Sequence, residues 1–298
     1  METRVHGKWI LAGEHAVLRG SPAVAFPIFS RALMLKFENS DEPLSVEFEG
    51  GHGDELKLLF WGVMEKAFEM TGLRRSDCRG RFHIENEIPV GAGMGASAAL
   101  CVGVGRWFES LGKVSRDELP EFCRQLENLF HGESSGVDIA VALSDEGLHF
   151  ERSGKRYELK PNWTPNWFIS YSGKRGMTSD CVSKVKALWE RDPALGEKID
   201  RDMIEAVGMA EQALLNSDAS EGFDRLASAI NLARSCFEHW GLAGGETGTH
   251  IQLLLDRGAY AVKPTGSGDG GYVLSLWRTS PPADIAAKLI PLSSKIQN

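Results

Sequence analysis

Residues Pro89-Val-Gly-Ala-Gly-Met-Gly-Ala-Ser-Ala-Ala99 have the types and spacing to hold a phosphate. Gly91, Gly93 and Gly95 alternate with Ala92 and Met94, so successive N–H groups can converge on an anion as a nest. The extended run Arg81 to Ile88 precedes this loop. Ala98 to Leu111 follows it, with the Ala, Leu, Val, Trp and Phe content of a buried helix. A helix that opens after such a loop presents its first N–H groups to the anion. Ala96-Ser97 then brings a hydroxyl, that of Ser97, to where a magnesium ion on the phosphates would sit. The same glycines would also serve a tight strand-to-helix turn. Taken alone, the stretch allows both.

Two familiar phosphate loops fit it less well. A Walker A loop needs Lys-Ser or Lys-Thr after its last glycine, where this chain has Ala96-Ser97. A dinucleotide fingerprint tolerates Ala96 at its third glycine position. It also wants an acidic residue about 20 positions on, and neither Glu109 nor Asp117 clearly ends a second strand.

Three other groups could carry chemistry. In Gly7-Lys8-Trp-Ile-Leu-Ala-Gly13-Glu14-His15, a lysine opens an apolar strand, where an unpaired ammonium is costly to bury. Its head in water is the alternative. Glu14 and His15 read as turn residues or as ligands of a polar substrate. Glu127 and His131 lie four apart near a helix end and share a face, as a surface pair also would. Asp138 follows Ser134-Ser-Gly-Val and precedes an apolar run, a position for a helix cap or a catalytic carboxylate. Gly266-Ser-Gly-Asp-Gly-Gly271 matches the dinucleotide spacing in letters, but a strand follows it. It reads as a hairpin turn, or as a loop bringing backbone close to a phosphate.

The elements that must position these groups follow from periodicity and turn residues. Strands are expected at 8–11, 23–29, 31–37 and 44–48, the last two as a hairpin. A helix over 54–70 carries Leu56, Leu59, Phe60, Val63 and Ala67 at helical spacing. A helix over 118–130 puts Phe122, Leu126 and Leu129 on one side. A strand pair is expected in 148–160, and the Pro- and Asn-rich 161–165 marks a domain boundary. Beyond it come strand 167–171 and helices at 180–190, 202–215 and 223–240. A short helix at 250–255, strands 259–263 and 272–277 around the second glycine loop, and a helix at 283–289 complete the chain. This second half suggests a small α+β sandwich.

Length and composition bound the class. With 298 residues, 42% hydrophobic and 25% charged, the chain has the makeup of a soluble globular protein of one large or two ordinary domains. A net charge of −8 argues against a nucleic-acid partner. No run approaches a membrane span and the Met1–Val5 start lacks a signal pattern, so no membrane association is expected. Cys78, Cys101, Cys123, Cys181 and Cys236 are scattered, with no Cys-x-x-Cys, which suits a reducing cytoplasm.

Taken together and in order, three motifs resemble those of the GHMP kinases. They are Gly-Lys-x-Ile-Leu-x-Gly-Glu-His-Ala-Val, Pro-x-Gly-Ala-Gly-Met-Gly-x-Ser-Ala-Ala and Lys-x-Thr-Gly-Ser-Gly, with Ser-Gly-x-Asp between the second and third. The likeness spans residues 7–277. Gly13-Glu14-His15-Ala16-Val17, Gly20-Ser-Pro-Ala-Val24 and Glu127-x-x-x-His131-Gly132-x-x-Ser135-Gly136-x-Asp138 make it most similar to the mevalonate kinases.

The resemblance implies an α+β, two-domain GHMP kinase fold: 1–165 like the second domain of ribosomal protein S5, and 166–298 ferredoxin-like, with the active site in the cleft between them. It implies an ATP- and Mg2+-dependent enzyme that phosphorylates the 5-hydroxyl of mevalonate on the route to isoprenoids. Asp138 would be the catalytic aspartate, with Lys8 beside it favouring negative charge on the attacking hydroxyl. Gly91, Ala92, Gly93, Met94, Gly95, Ala96 and Ser97 would cradle the triphosphate, and Ser97 and Glu127 would bind magnesium. Glu14, His15 and Thr178 would join Lys8 and Asp138 around the small-molecule substrate. The adenine pocket falls by analogy between Phe37 and Leu56, and a homodimer is an allowed assembly.

The chain departs from the family pattern in three places. Ala96 replaces the first serine of the usual pair. Asp269 replaces a glycine of the third motif, which puts a carboxylate near a polyanion unless it meets a cation. The arginine expected two residues before Thr178 is Gly176, with Arg175 one place off. Gly7-Lys8 and Lys263-Pro264 also resemble phosphomevalonate kinases, so a phosphorylated acceptor, served by Lys174, Arg175 and Lys263, is the alternative. A sugar kinase and a non-catalytic ligand sensor of this fold come after it.

Overall fold

A strand, a glycine loop and a helix in sequence require the chain to reverse over a few residues, and it does. In the computed structural model, which describes residues 1–49, 53–131 and 134–292, β4 (Arg79–Asn86) leads through the loop into α2 (Ala96–Ser110). The chain packs as two compact units, neither of them a single stretch. One gathers residues 1–8, 30–90 and 94–145, the other 9–29, 91–93 and 146–298. β1 (Glu2–Ala12) and β2 (Ala23–Pro43), which pair with each other, have residues in both.

In the first unit, β2 pairs antiparallel with β4, placing Leu35 opposite Ile84 and Phe37 opposite Phe82. β3 (Ser45–Glu49) lies parallel on the other side of β4. The hairpin expected between 31–37 and 44–48 therefore does not form, because β4 stands between those segments. The register explains the order. Val46 and Phe48 meet Phe82 and Ile84, while exposed Glu47 and Glu49 suit an edge. Nor is 31–37 a separate strand, since it continues 23–29 as β2.

Helix α1 (Gly53–Thr71) packs on α2, which packs in turn on α3 (Leu119–His131) and α4 (Val137–Ser144). Trp107 of α2 is fully buried, its ring 5.2 Å from Phe37 and 5.0 Å from Phe82. Each such side chain contributes about 1.5–3 kcal/mol of hydrophobic burial. The buried stripe of α3 is Leu119, Phe122, Cys123, Leu126 and Glu127, while Leu129, expected on that stripe, is half exposed.

In the second unit, β5 (Leu148–Phe150) pairs with the start of β2 and, as a hairpin, with β6 (Arg156–Glu158). A further antiparallel sheet has the order β10 (Ile290–Pro291), β7 (Trp167–Tyr171), β9 (Tyr272–Leu276), β8 (Ala261–Thr265). Helices α5 (Thr178–Arg191), α6 (Pro193–Leu214), α7 (Ala219–His239), α8 (Gly245–Asp256) and α9 (Ala283–Ala286) complete it. α6 packs on α7, and α7 and α8 pack on β8. Helix α6 begins before Asp202 because Asp192 caps it, accepting from the Leu195 N–H at 3.1 Å, with Pro193 in the first turn. On α7, Leu226, Ile230, Ala233 and Phe237 form the expected buried stripe. Mostly antiparallel sheets with separate helices make the fold α+β. Among the described residues no helix is long and apolar enough to cross a membrane.

Candidate active site

The phosphate loop has the backbone its letters promise. Gly91, Gly93 and Gly95 take φ of 69°, 80° and 80°, the left-handed region open to glycine. Ala92 and Met94 point inward and are buried, while Gly91 and Gly93 are exposed. Alternating backbone hand turns neighbouring N–H groups toward a common point, as in an anion nest. Gly95 caps α2, and Ser97 lies in the first turn of that helix, half buried.

In the first unit, Lys8 is drawn under this loop. Its N–H donates to the Met94 carbonyl at 2.9 Å, and its stem runs so close to Gly95 that a Cβ there would come within 2.8 Å of Cγ. The ammonium is not in water. The Lys8 side chain is 5% exposed, and its Nζ lies 2.9 Å from Asp138 Oδ2. Asp138 sits in the first turn of α4, after Gly136 at φ 87°, where the helix dipole favours a carboxylate. Gly95→Ala should therefore strain a left-handed residue and push Lys8 off Asp138. The expected results are a stability loss of about 1–3 kcal/mol in denaturant melts and a fall of about 10²-fold in kcat/KM. Unchanged activity would show that Lys8 need not hold this position.

Glu127 belongs to the same cluster. It is 1% exposed, and the Ser134 hydroxyl donates to Oε2. Burial, then the Asp138 charge, push its carboxyl up to about 8. Oε1 is buried with no hydrogen-bond partner among the described residues. A buried carboxylate oxygen without a donor is costly unless a cation meets it. The donor set thus fits magnesium, which takes oxygen ligands and usually few from protein, the rest coming from phosphates and water. His131's side chain, Gly132 and Glu133, and residues 50–52 of the expected adenine region lie outside what is described.

The second unit holds Glu14 and His15 differently from simple surface ligands. Glu14 is 2% exposed and ion-paired with Lys263, itself 0% exposed. The Lys263 ammonium also approaches the Ile10 carbonyl at 3.4 Å and the Phe237 ring at 5.3 Å. Burial pulls its pKa down, and Glu14 opposes that. His15 is forced to φ 58°, strained for a side chain of its size. It packs edge-on to Trp240 and Phe237, and burial lowers its pKa to about 4, so it is neutral near pH 7. Its Nε2–H donates to the Ser267 carbonyl at 2.8 Å, leaving Nδ1 for any ligand. Thr265 also ties β8 to Ile10, accepting from its N–H and donating to its carbonyl, each at 2.9 Å. Lys263, a charge inside an apolar strand, gave the same signal as Lys8; only the structure shows its partner.

The second glycine loop packs on the phosphate loop within this unit. A Cβ at Gly271 would lie 2.9 Å from the Ala92 carbonyl, and one at Gly266 3.4 Å from that of Gly93. Asp269, at φ 51°, does meet cations: Lys174 at 2.9 Å and Lys184 at 2.5 Å. These partners hold its pKa below the usual carboxylate range, Lys184 most strongly. The displaced arginine also has a steric cause. A Cβ at Gly176 would stand 2.7 Å from the Gly268 carbonyl, so no side chain fits there. Arg175 Nη1 lies 3.9 Å from a Cβ built on Gly91. Thr178 opens α5, half buried, at the end of the same segment.

Comparison with known proteins agrees with this geometry. The profile of the GHMP kinases N terminal domain matches residues 59–146. A mevalonate kinase of Archaeoglobus fulgidus is 30% identical, covering 93% of this chain and 92% of its own. One of Pyrococcus horikoshii is 28% identical over 90% of this chain and 86% of its own. The crystal structure of L. major mevalonate kinase in complex with R-mevalonate superposes with a TM-score of 0.78 at 20% identity, covering 94% of this chain and 88% of that one. The chain belongs to the GHMP kinase family, enzymes that move a phosphoryl group onto a small molecule. Within it the chain is most like the mevalonate kinases, with a hydroxyl group as acceptor.

Proposed function

We propose that this chain transfers the γ-phosphoryl group of ATP to the 5-hydroxyl of mevalonate. The observation that carries the reading is the pairing of buried Lys8 with partly exposed Asp138 at 2.9 Å, in the same unit as the orphaned oxygen of Glu127. Asp138 orients the acceptor hydroxyl and takes its proton as the new O–P bond forms, while Lys8 offsets the charge growing on that oxygen. The N–H groups of 91–97 hold the transferring phosphates in place. Glu127 and Ser97 would hold Mg2+, which neutralises phosphate charge when bound. By family resemblance we also assign Glu14, His15 and Thr178 to the acceptor, Glu14 acting from its buried pair with Lys263. The five free cysteines suit a reducing cytoplasm, where we place the reaction.

A phosphorylated acceptor would need spare cations. Two of the three cations named for it are engaged, Lys263 wholly buried on Glu14 and Lys174 paired with Asp269, and Arg175 is the third. Retention of Lys8, Ser97, Glu127 and Asp138 together speaks against a non-catalytic sensor. The test is ADP release with ATP and magnesium, offering mevalonate, 5-phosphomevalonate, homoserine and galactose in parallel. Turnover with mevalonate alone is expected. Turnover with 5-phosphomevalonate alone, or none despite tight ATP binding, overturns the reading.

A further inference from the structure

The carboxylate of Asp269 is held between two ammonium groups, those of Lys174 and Lys184. The lysine side chains are half exposed and the aspartate about a quarter, so the clasp faces solvent. The loop that carries Asp269 also packs on the phosphate loop. Two residues along the chain, Gly271 abuts Ala92, and its N–H donates to the Lys174 carbonyl at 2.7 Å. Ser172 N–H returns a bond to the Gly271 carbonyl at 2.9 Å. The loop bearing Lys174 is thus fastened to the loop that touches the phosphate cradle, all within one unit.

We propose that Asp269 is a specificity-determining residue that occupies a two-lysine anion site and so excludes acceptors that already carry a phosphate. This rests on the hydroxyl-acceptor reading above. A hydroxyl acceptor brings no charge to the transfer point and gives up one proton as its O–P bond forms and ADP leaves. A phosphorylated acceptor attacks with a phosphate oxygen instead, also releasing ADP, so its dianion must lie against the γ-phosphate. That encounter requires positive charge beside the cradle. Lys174 and Lys184 carry the right charge and meet on the loop that packs against the cradle, and Asp269 cancels one of them while fixing both.

The experiment measures 5-phosphomevalonate as a competitive inhibitor of, and alternative to, mevalonate in the wild type, Asp269→Asn and Asp269→Gly. Both substitutions suit the backbone, since Asn and Gly accept a positive φ. In each, the inhibition constant is expected to fall at least tenfold, while KM for mevalonate moves less than threefold. Adding Lys174→Ala and Lys184→Ala to Asp269→Asn should abolish the gain. An inhibition constant unchanged in both single variants, with mevalonate turnover intact, overturns the proposal. A gain that survives loss of both lysines overturns it as well. A wild type that does not phosphorylate mevalonate removes the functional reading first, and the proposal with it.

Discussion

Asp138→Asn should cut turnover by about 10²–10⁴-fold, the range general-base catalysis contributes. The change is isosteric and keeps an oxygen toward Lys8, but an amide cannot accept the acceptor's proton. The dissociation constant for ATP, measured by calorimetry with magnesium, should stay within about threefold, because the donors we propose for the phosphates are backbone groups of 91–97. This separation of binding from chemistry is the signature of a group acting on the acceptor. Full turnover in the variant would take Asp138 out of the reaction. Parallel loss of ATP affinity would give it a structural role instead.

Lys263→Met should cost about 3–5 kcal/mol, the usual penalty for leaving one member of a buried ion pair alone. Glu14 is 2% exposed, so its carboxylate cannot recover water when the ammonium goes. The Lys263 ammonium lies by the Ile10 carbonyl and the Phe237 ring, and Met fills most of the side chain's volume. The loss should therefore be electrostatic and not a cavity effect. Adding Glu14→Gln should restore most of the stability in denaturant melts, since a neutral pair carries a much smaller burial penalty. A double variant as unstable as the single one would assign the effect to packing.

Much of this was legible before any coordinates. The glycine loop declared its backbone because alternating glycines are what left-handed positions there require, and the stripe of α7 declared its face. The pairing of Lys8 with Asp138 was not readable from spacing. The two residues are far apart in the chain, and only family resemblance put them together. Glu127 is an intermediate case. With Glu127 taken as one end of an i,i+4 pair with His131, it looks like a surface residue. Set against Leu119, Phe122, Cys123 and Leu126, it completes a buried stripe, and a carboxylate there already asks for a cation. The 31–48 hairpin failed for a different reason. Local alternation marks strands but does not say which one will slip between them, and the match of Val46 and Phe48 to β4 is a long-range choice.

The tight meeting of Gly176 with the second glycine loop bears on how this chain could change over generations. Gly176 has the Gly268 carbonyl 2.7 Å from where its Cβ would be, and a Cβ on Gly270 would sit 2.5 Å from the Gly176 nitrogen. Neither position can acquire a side chain until the opposite loop has moved. A descendant acquiring an arginine at 176 must first pass through a rearranged 268–270 segment. The order of such steps is constrained by packing. With Gly268 and Gly270 where they are, a side chain at 176 is thus out of reach of any single substitution.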